Sequence, residues 1–422
     1  MNHQYLHRIL FSTVWLFVLS AEAQSQRLIL NDTIYDDQIL SVSFHREGFP
    51  LSIPFIYLSS DEHLELMFDD LSPVQRDFSW QLVYCNRFWE EEKIPKQEYM
   101  EGFPDNRIYD VKTSSNTTVS YRNFRLLFPA ENMQILLSGN YVLRIYLADH
   151  PEQTVMEKRF YVTENSVVPE IEYRMAEEQS AGSQSFEISW DTPAQKNVNP
   201  DNFHLYALQN LRWQFEKELP KARPSGKKSF TCCLPGECVF EGGNEYLNFD
   251  IKSRRYQSPR IKEMVFKPPY YHIYLYDDKM DPYGPYFFTE DINGNFLIES
   301  NETEKDRNEA DYVYVHFSLN TGQPFIDEDV YLYGAFTNRN LTDKYRMQYN
   351  FRTRNYEISL LLKQGYYNYE YILKQKKGAP SYTMNGSHAE TGNEYLFLLY
   401  YTDETRANDR LIGLKVYNTL QR

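Results

Sequence analysis

Gly139-Asn140-Tyr141-Val142-Leu143-Arg144-Ile145-Tyr146-Leu147 places large apolar side chains at 141, 143, 145 and 147, with Val142, Arg144 and Tyr146 between them. Successive side chains of an extended chain point to opposite faces, so this spacing predicts a strand with one face in a core, opened by the turn pair Gly139-Asn140. The same period governs Phe78, Trp80, Leu82 and Tyr84, interleaved with Ser79, Gln81, Val83 and Cys85. It returns at Phe186, Ile188 and Trp190, at Tyr271, Ile273 and Leu275, at Val313, Val315, Phe317 and Leu319, and at Tyr367, Tyr369, Tyr371 and Leu373. Helical spacing is confined to 210–219, where Leu211, Phe215 and Leu219 share a face until Pro220 and Pro224 stop it; a short helix or irregular loop is expected. With turn signals such as Asn293-Gly294 and Asn385-Gly386, the pattern reads as all-β, built of antiparallel sandwiches rather than a parallel βαβ sheet.

Working outward, breakers divide the chain. Residues 1–23 read as a cleaved signal peptide: His3, His7 and Arg8 precede an 11-residue apolar run at 9–19, and Ala21-Glu22-Ala23 offers a small-x-small cleavage site. A spanning helix needs about 20 apolar residues, so a membrane anchor is not expected, and no Cys follows the run to carry a lipid. Val167-Val168-Pro169 and the acidic stretch 299–310 then set three expected units: an N-terminal β-sandwich at 24–165, a middle β-rich domain at 166–308, and a C-terminal carbohydrate-module-like sandwich at 309–422. The expected architecture is three tandem immunoglobulin-like or E-set-type β-sandwiches, with Pro268-Pro269 as a hinge inside the second. An outer-membrane barrel is the structural rival, disfavoured by short strands and by the Pro-broken polar stretch 219–229.

Composition removes several function classes. The 422 residues are 16% aromatic with 17 Gly and 20 Pro, which describes a folded chain, and a mean hydropathy of −0.62 argues against a polytopic membrane protein. The net charge of −15 is concentrated in 24–165 (22 acids, 13 bases) and 269–310 (10 acids, 3 bases), while 166–268 is neutral and 311–422 carries one excess base. No segment supplies the basic face that nucleic acid requires. No Gly-x-Ser-x-Gly elbow, His-Glu-x-x-His helix, Walker loop or dinucleotide fingerprint occurs. The histidines stand alone in sequence, and the acid pairs Asp69-Asp70 and Asp277-Asp278 read as solvated loops rather than a catalytic dyad. No catalytic, cofactor-binding or metal residue is nominated, and the protein is not expected to be an enzyme.

Of four cysteines, Cys232, Cys233 and Cys238 lie close together and Cys85 stands apart. Adjacent cysteines rarely point at one metal and no CxxC or HxxxH pair accompanies them, so a Cys233–Cys238 loop disulfide is preferred to zinc, with Cys85 and Cys232 free and buried.

Two resemblances rest on longer runs. Val330-Tyr331-Leu332-Tyr333-Gly334-Ala335-Phe336-Thr337-Asn338, followed by 360–371, is similar to starch- and glycogen-binding sandwich modules, which implies α-glucan binding as an alternative function. Arg339 stands where those modules place a Trp. Across the whole chain, Gly139 to Arg144 with Arg159-Phe160-Tyr161-Val162, Gln209-Asn210-Leu211-Arg212-Trp213 with 243–250, and Gly334 to Phe336 with 363–371, 385–388 and Asp409-Arg410-Leu411-Ile412-Gly413 resemble, in that order, the plug family of the type IX secretion translocon of Bacteroidota. The resemblance implies a periplasmic, non-catalytic, all-β protein, exported and not integral to the membrane. It implies a giant outer-membrane translocon barrel as partner, its pore closed when no cargo passes, and it identifies no contact residue. The cysteines before Val239-Phe240 depart from that pattern.

Overall fold

The computed structural model describes residues 29–102, 106–175, 182–192, 198–302, 307–403 and 408–420; the expected signal peptide at 1–23 lies outside them. Among the described residues strands dominate, and every helical piece is a single turn or little more, such as Lys96–Tyr99. Among the described residues no sheet closes into a barrel, and no helix is long and apolar enough to cross a membrane.

The first unit is a sandwich. One sheet orders Thr33–Ile34, His150–Thr163, Gly139–Leu147 and Phe78–Cys85, with Phe55–Tyr57 added in parallel to the second of these. The facing sheet orders Ile39–Arg46, Leu64–Asp70, Arg122–Phe128 and Asp110–Thr113. Tyr141, Leu143 and Ile145 point into the core as their spacing requires, beside Trp80, Leu82 and an aromatic trio of Phe68, Phe78 and Phe124 with centroids 4.9–5.3 Å apart. Gly139 and Asn140 do not form a turn. They are the first paired residues of the strand, opposite Val162 and Tyr161, and a Cβ on Gly139 would sit 3.0 Å from the Tyr84 ring. Glycine is there for close approach of a ring to the backbone.

The other two units are interleaved, unlike the expected linear division at 308. Glu170–Met175, Ser183–Asp191, Ser229–Glu241 and Arg223–Pro224 form one sheet of the second unit. Its facing sheet joins Lys217–Glu218 and Phe203–Gln209 to the C-terminal hairpin Glu394–Asp403 and Asn408–Asn418, with Phe203 opposite Tyr401 and Gln209 opposite Tyr395. Phe186, Trp190, Phe203, Leu205, Phe397 and Leu399 share that core. The third unit is therefore inserted between the strands of the second. Leu247–Asp250, Phe296–Ile298 and Glu328–Tyr333 pair with Gly365–Gln375, and against them lies the sheet of Ile261–Lys267, Tyr270–Leu275, Tyr312–Asn320, Asn355–Lys363 and Gln348–Asn350. Phe249, Phe317, Tyr367, Tyr369 and Tyr371 are buried between the two sheets. Turn residues mark where a strand ends, not which sheet it joins, and pairing at a separation near 190 residues leaves no local trace. Pro268-Pro269 is the tip of the hairpin Ile261–Lys267/Tyr270–Leu275, not a hinge between bodies.

Candidate functional site

What distinguishes this molecule is how its three units are fastened. Between the first and second, two sheets meet face to face. The strand Glu394–Asp403 sends Tyr395, Phe397 and Leu399 into the second core and Leu396, Leu398 and Tyr400 the other way, against Val83, Cys85, Val142 and Tyr161 of the first unit. A strand buried on both faces must be apolar at every position, and 395–401 is an unbroken apolar and aromatic run. That run was the signal in the sequence for a two-sided environment. At the rim, Arg87 pairs with Asp409 at 2.7 Å and Arg410 with Glu164 at 2.6 Å, while inside the seam the buried Tyr400 hydroxyl donates to Asn140 Oδ1 at 2.6 Å.

The third unit is held to the first by buried charge. Lys363 Nζ lies 2.7 Å from Asp69 Oδ2, and both side chains are wholly buried. Asp69 also accepts from the Tyr312 hydroxyl at 2.7 Å and from Asn123 Nδ2 at 2.6 Å, and the Lys363 ammonium sits 4.0 Å from the centre of the Tyr121 ring. A charge this deep is tolerated only because its lone pairs and protons are met. Thr118 and Val119 of the first unit donate backbone N–H groups to Asp311, whose carboxylate is also 2.7 Å from Arg254. A second contact joins Lys158 to Asp32 and Asn338, with Asn338 Nδ2 donating back to the Asp32 carbonyl at 2.7 Å.

Between the second and third units, Arg212 reaches Glu370 through both arms, Nε–Oε1 at 2.8 Å and Nη2–Oε2 at 2.9 Å, with its guanidinium 4.3 Å from the Tyr382 ring centre. Glu370 holds the arginine charged in spite of burial, so its pKa is raised. Where a short helix or irregular loop is expected, 210–219 holds a 3₁₀ turn at Trp213–Phe215, preceded by a kink at Asn210 and Leu211, each at φ 51°. That kink aims Arg212 at Glu370 and sets Trp213 edge-on to Trp89 of the first unit, 5.7 Å between centroids. Several runs that carried the whole-chain resemblance thus meet at the seams: 209–213 with Tyr246 and Glu370, Asn140 with Tyr400, and Asn244 with the carbonyl of Asn385 at 2.9 Å.

At the meeting point of all three units lies a cavity of about 70 Å³. Ser43, His45, Lys158, Trp213, Asn338 and Arg339 are among its walls, and Ser43 Oγ and His45 Nε2 have no hydrogen-bond partner among the described residues. Its size suits a few waters and no sugar ring.

Other residues singled out from the sequence take different places from those expected. The acid pairs are only partly solvated: Asp277 is exposed, but Asp69 is in the Lys363 contact, Asp70 pairs with Arg76 and Arg122, and Asp278 pairs with Arg260 while accepting from Tyr369 and Tyr371. Two histidines that stand alone in sequence are neighbours on parallel strands, His272 Nδ1 lying 2.9 Å from His316 Nε2; burial and the neighbouring ring push His316 down to about 4. The tyrosines at 367, 369 and 371 are core, so their faces offer no platform for a sugar.

The cysteines form a compact group. The sulfurs of Cys232, Cys233 and Cys238 lie within 4.8 Å of one another, all three buried. Those of Cys233 and Cys238 are at bonding distance with Cα atoms 5.5 Å apart, and Cys85 and Cys232 are free. A bulge explains why adjacent cysteines share a side: Ile188 pairs with Cys233 and Ser189 with Thr231, leaving Cys232 without an opposite residue. Burial pushes the Cys232 thiol up to about 12.

These features define an all-β protein of three interlocked sandwich units, closed at each seam by apolar sheet faces or buried ion pairs. Residues 39–164 match the family described as type 9 secretion system plug protein 1st domain. That match supports a type IX secretion plug protein, and with it a role in type IX secretion. The chain is also similar to a hypothetical protein from Parabacteroides merdae ATCC 43184, known from a crystal structure, with 28% identity, a TM-score of 0.89, and coverage of 93% of this chain and 100% of that one. All three units therefore recur in a solved relative. InvD of Yersinia pseudotuberculosis aligns over 89% of this chain and 97% of its own at 6% identity with a TM-score of 0.18. No curated protein matches the chain.

Proposed function

We propose that the protein is exported with removal of residues 1–23 and serves, without catalysis, as the periplasmic plug of the type IX outer-membrane translocon, sealing its pore when no cargo is passing. The observation that carries this reading is the plug-family match over 39–164, set in a body whose other units are fixed to that domain by buried contacts such as Lys363–Asp69. A pore wide enough for folded cargo needs a stopper that holds its shape under load. Three sandwiches free to swing would leak, whereas units joined through desolvated ion pairs and a two-faced strand move together.

The test is genetic and biochemical. Deletion of the gene is expected to admit large antibiotics that normally cannot cross the outer membrane while secretion of cargo continues at least in part. The tagged protein is expected to co-purify with the translocon barrel from envelope extracts. Unchanged permeability in the deletion strain, or a tagged protein that brings down no translocon, overturns the reading.

A further inference from the structure

The segment 276–291 leaves the strand Tyr270–Leu275, pairs briefly in parallel with Tyr312–Asn320 at Asp278–Lys279, and then runs as irregular chain toward the seam between the third and second units. It is pinned along its length. Asp278 is buried against Arg260 and the hydroxyls of Tyr369 and Tyr371, which donate at 2.8 and 2.6 Å. The Tyr286 hydroxyl donates to Glu245, and its ring lies 5.5 Å from that of His388. Asp291 accepts from the backbone N–H of Tyr246 at 2.6 Å. The segment turns four aromatic rings outward, one just before the first pin and three between the pins: Tyr276 is 51% exposed, and then Tyr283 95%, Phe287 73% and Phe288 61%. Rings held in water by a well-anchored backbone forgo burial that a looser chain would find, and such patches mark interaction sites.

The exposed charge along the segment is mostly negative. Asp277, Asp281 and Glu290 are exposed on the same segment, against Lys279 alone, and residues 269–310 hold 10 acids and 3 bases. Aromatic faces and carboxylates together select one chemistry. Guanidinium and ammonium groups lie favourably over the negative face of a ring and pair with carboxylates, and arginine is enriched at the core of protein interfaces.

We propose that 276–291 is the docking surface of this protein and that the patch it meets on its partner is basic, presenting arginine or lysine side chains to Tyr283, Phe287 and Phe288. The proposal rests on the translocon as partner and names the surface and the chemistry of the contact. Aromatic anchors supply area at little entropic cost, while the acids steer the encounter and make it sensitive to salt.

The test uses the full-length tagged protein and translocon recovery from envelope extracts. Two variants alter the surface, Y283S/F287S/F288S and D277K/E290K. A third, I326S/F351S, removes equally exposed side chains elsewhere on the third unit, 86% and 79% exposed. All substituted positions are exposed, so each variant is expected to keep the wild-type circular dichroism spectrum and melting temperature. Recovery is expected to fall at least tenfold for the aromatic variant and severalfold for the charge reversal, whose residual binding loses its salt dependence, and to hold for I326S/F351S. Wild-type recovery by the aromatic variant, or an equal fall in all three, overturns the surface. Failure of the wild-type protein to recover translocon instead overturns the functional reading on which the surface rests.

Discussion

Replacing Lys363 by Met keeps the length and apolar stem of the side chain and deletes only its charge. Asp69 then loses a partner at 2.7 Å in a place where neither side chain touches water. Two donors to it survive, the Tyr312 hydroxyl and Asn123 Nδ2. They satisfy lone pairs but carry no compensating charge, and breaking a buried pair from one side costs about 3–5 kcal/mol. The double variant Lys363→Met/Asp69→Asn removes both charges, so its loss is expected to fall short of the sum of the single losses by about 2 kcal/mol or more. Unfolding in urea can be followed by two probes with different reach. Trp80, Trp89, Trp190 and Trp213 all lie outside the third unit, so fluorescence reports the first and second, whereas near-ultraviolet circular dichroism also reports the tyrosine-rich third. In the wild type the two transitions are expected to coincide; in Lys363→Met the dichroism signal is expected to change at lower urea. A loss below about 1 kcal/mol for the single variant, or strict additivity in the double, would refute the claim that this pair fastens the third unit to the first.

Other outcomes follow from the same contacts. Arg212→Lys keeps the charge but loses the two-armed bond to Glu370 and the planar stack on Tyr382, and a cost of about 2–3 kcal/mol with faster proteolytic cleavage between the second and third units is expected; an unchanged melting temperature contradicts it. Burial raises the Glu216 carboxyl from 4.5 to about 7, so the folded state holds the extra proton between those values and the protein loses stability as pH rises through that window. Glu216→Gln should therefore stabilise at pH 8 and make no difference at pH 4, and a pH-independent effect in thermal melts rules the cause out. For the Cys233–Cys238 disulfide we propose in the exported protein, alkylation after denaturation without reduction should label Cys85 and Cys232 only. Because Cys232 and Cys238 are also within 4.8 Å, Cys233→Ser is expected to leave Cys85 as the sole reactive thiol, with Cys232 closing on Cys238; labelling of all three remaining cysteines goes against it.

The sequence by itself determined the fold class. Period-two alternation is a property of neighbouring residues, and it located strands such as Gly139–Leu147, Phe78–Cys85 and Tyr312–Asn320 before any contact was known. It also carried the resemblance to the plug family, through runs such as 139–144 and 159–162 that fall within the matched residues 39–164. Tertiary structure alone decided which strands share a sheet. The hairpin Glu394–Asn418 completes the second unit because Leu205 and Phe397 need a common core, and nothing in either segment names the other. It alone decided the standing of the charges. Asp69, Lys363, Arg212 and Glu370 look like ordinary surface residues in a polar chain, and became fasteners when folding brought each to a partner from another unit and removed the water between them. Alternation tells which way a side chain points; whether that direction meets solvent, a core or another domain is set by chain that lies hundreds of residues away.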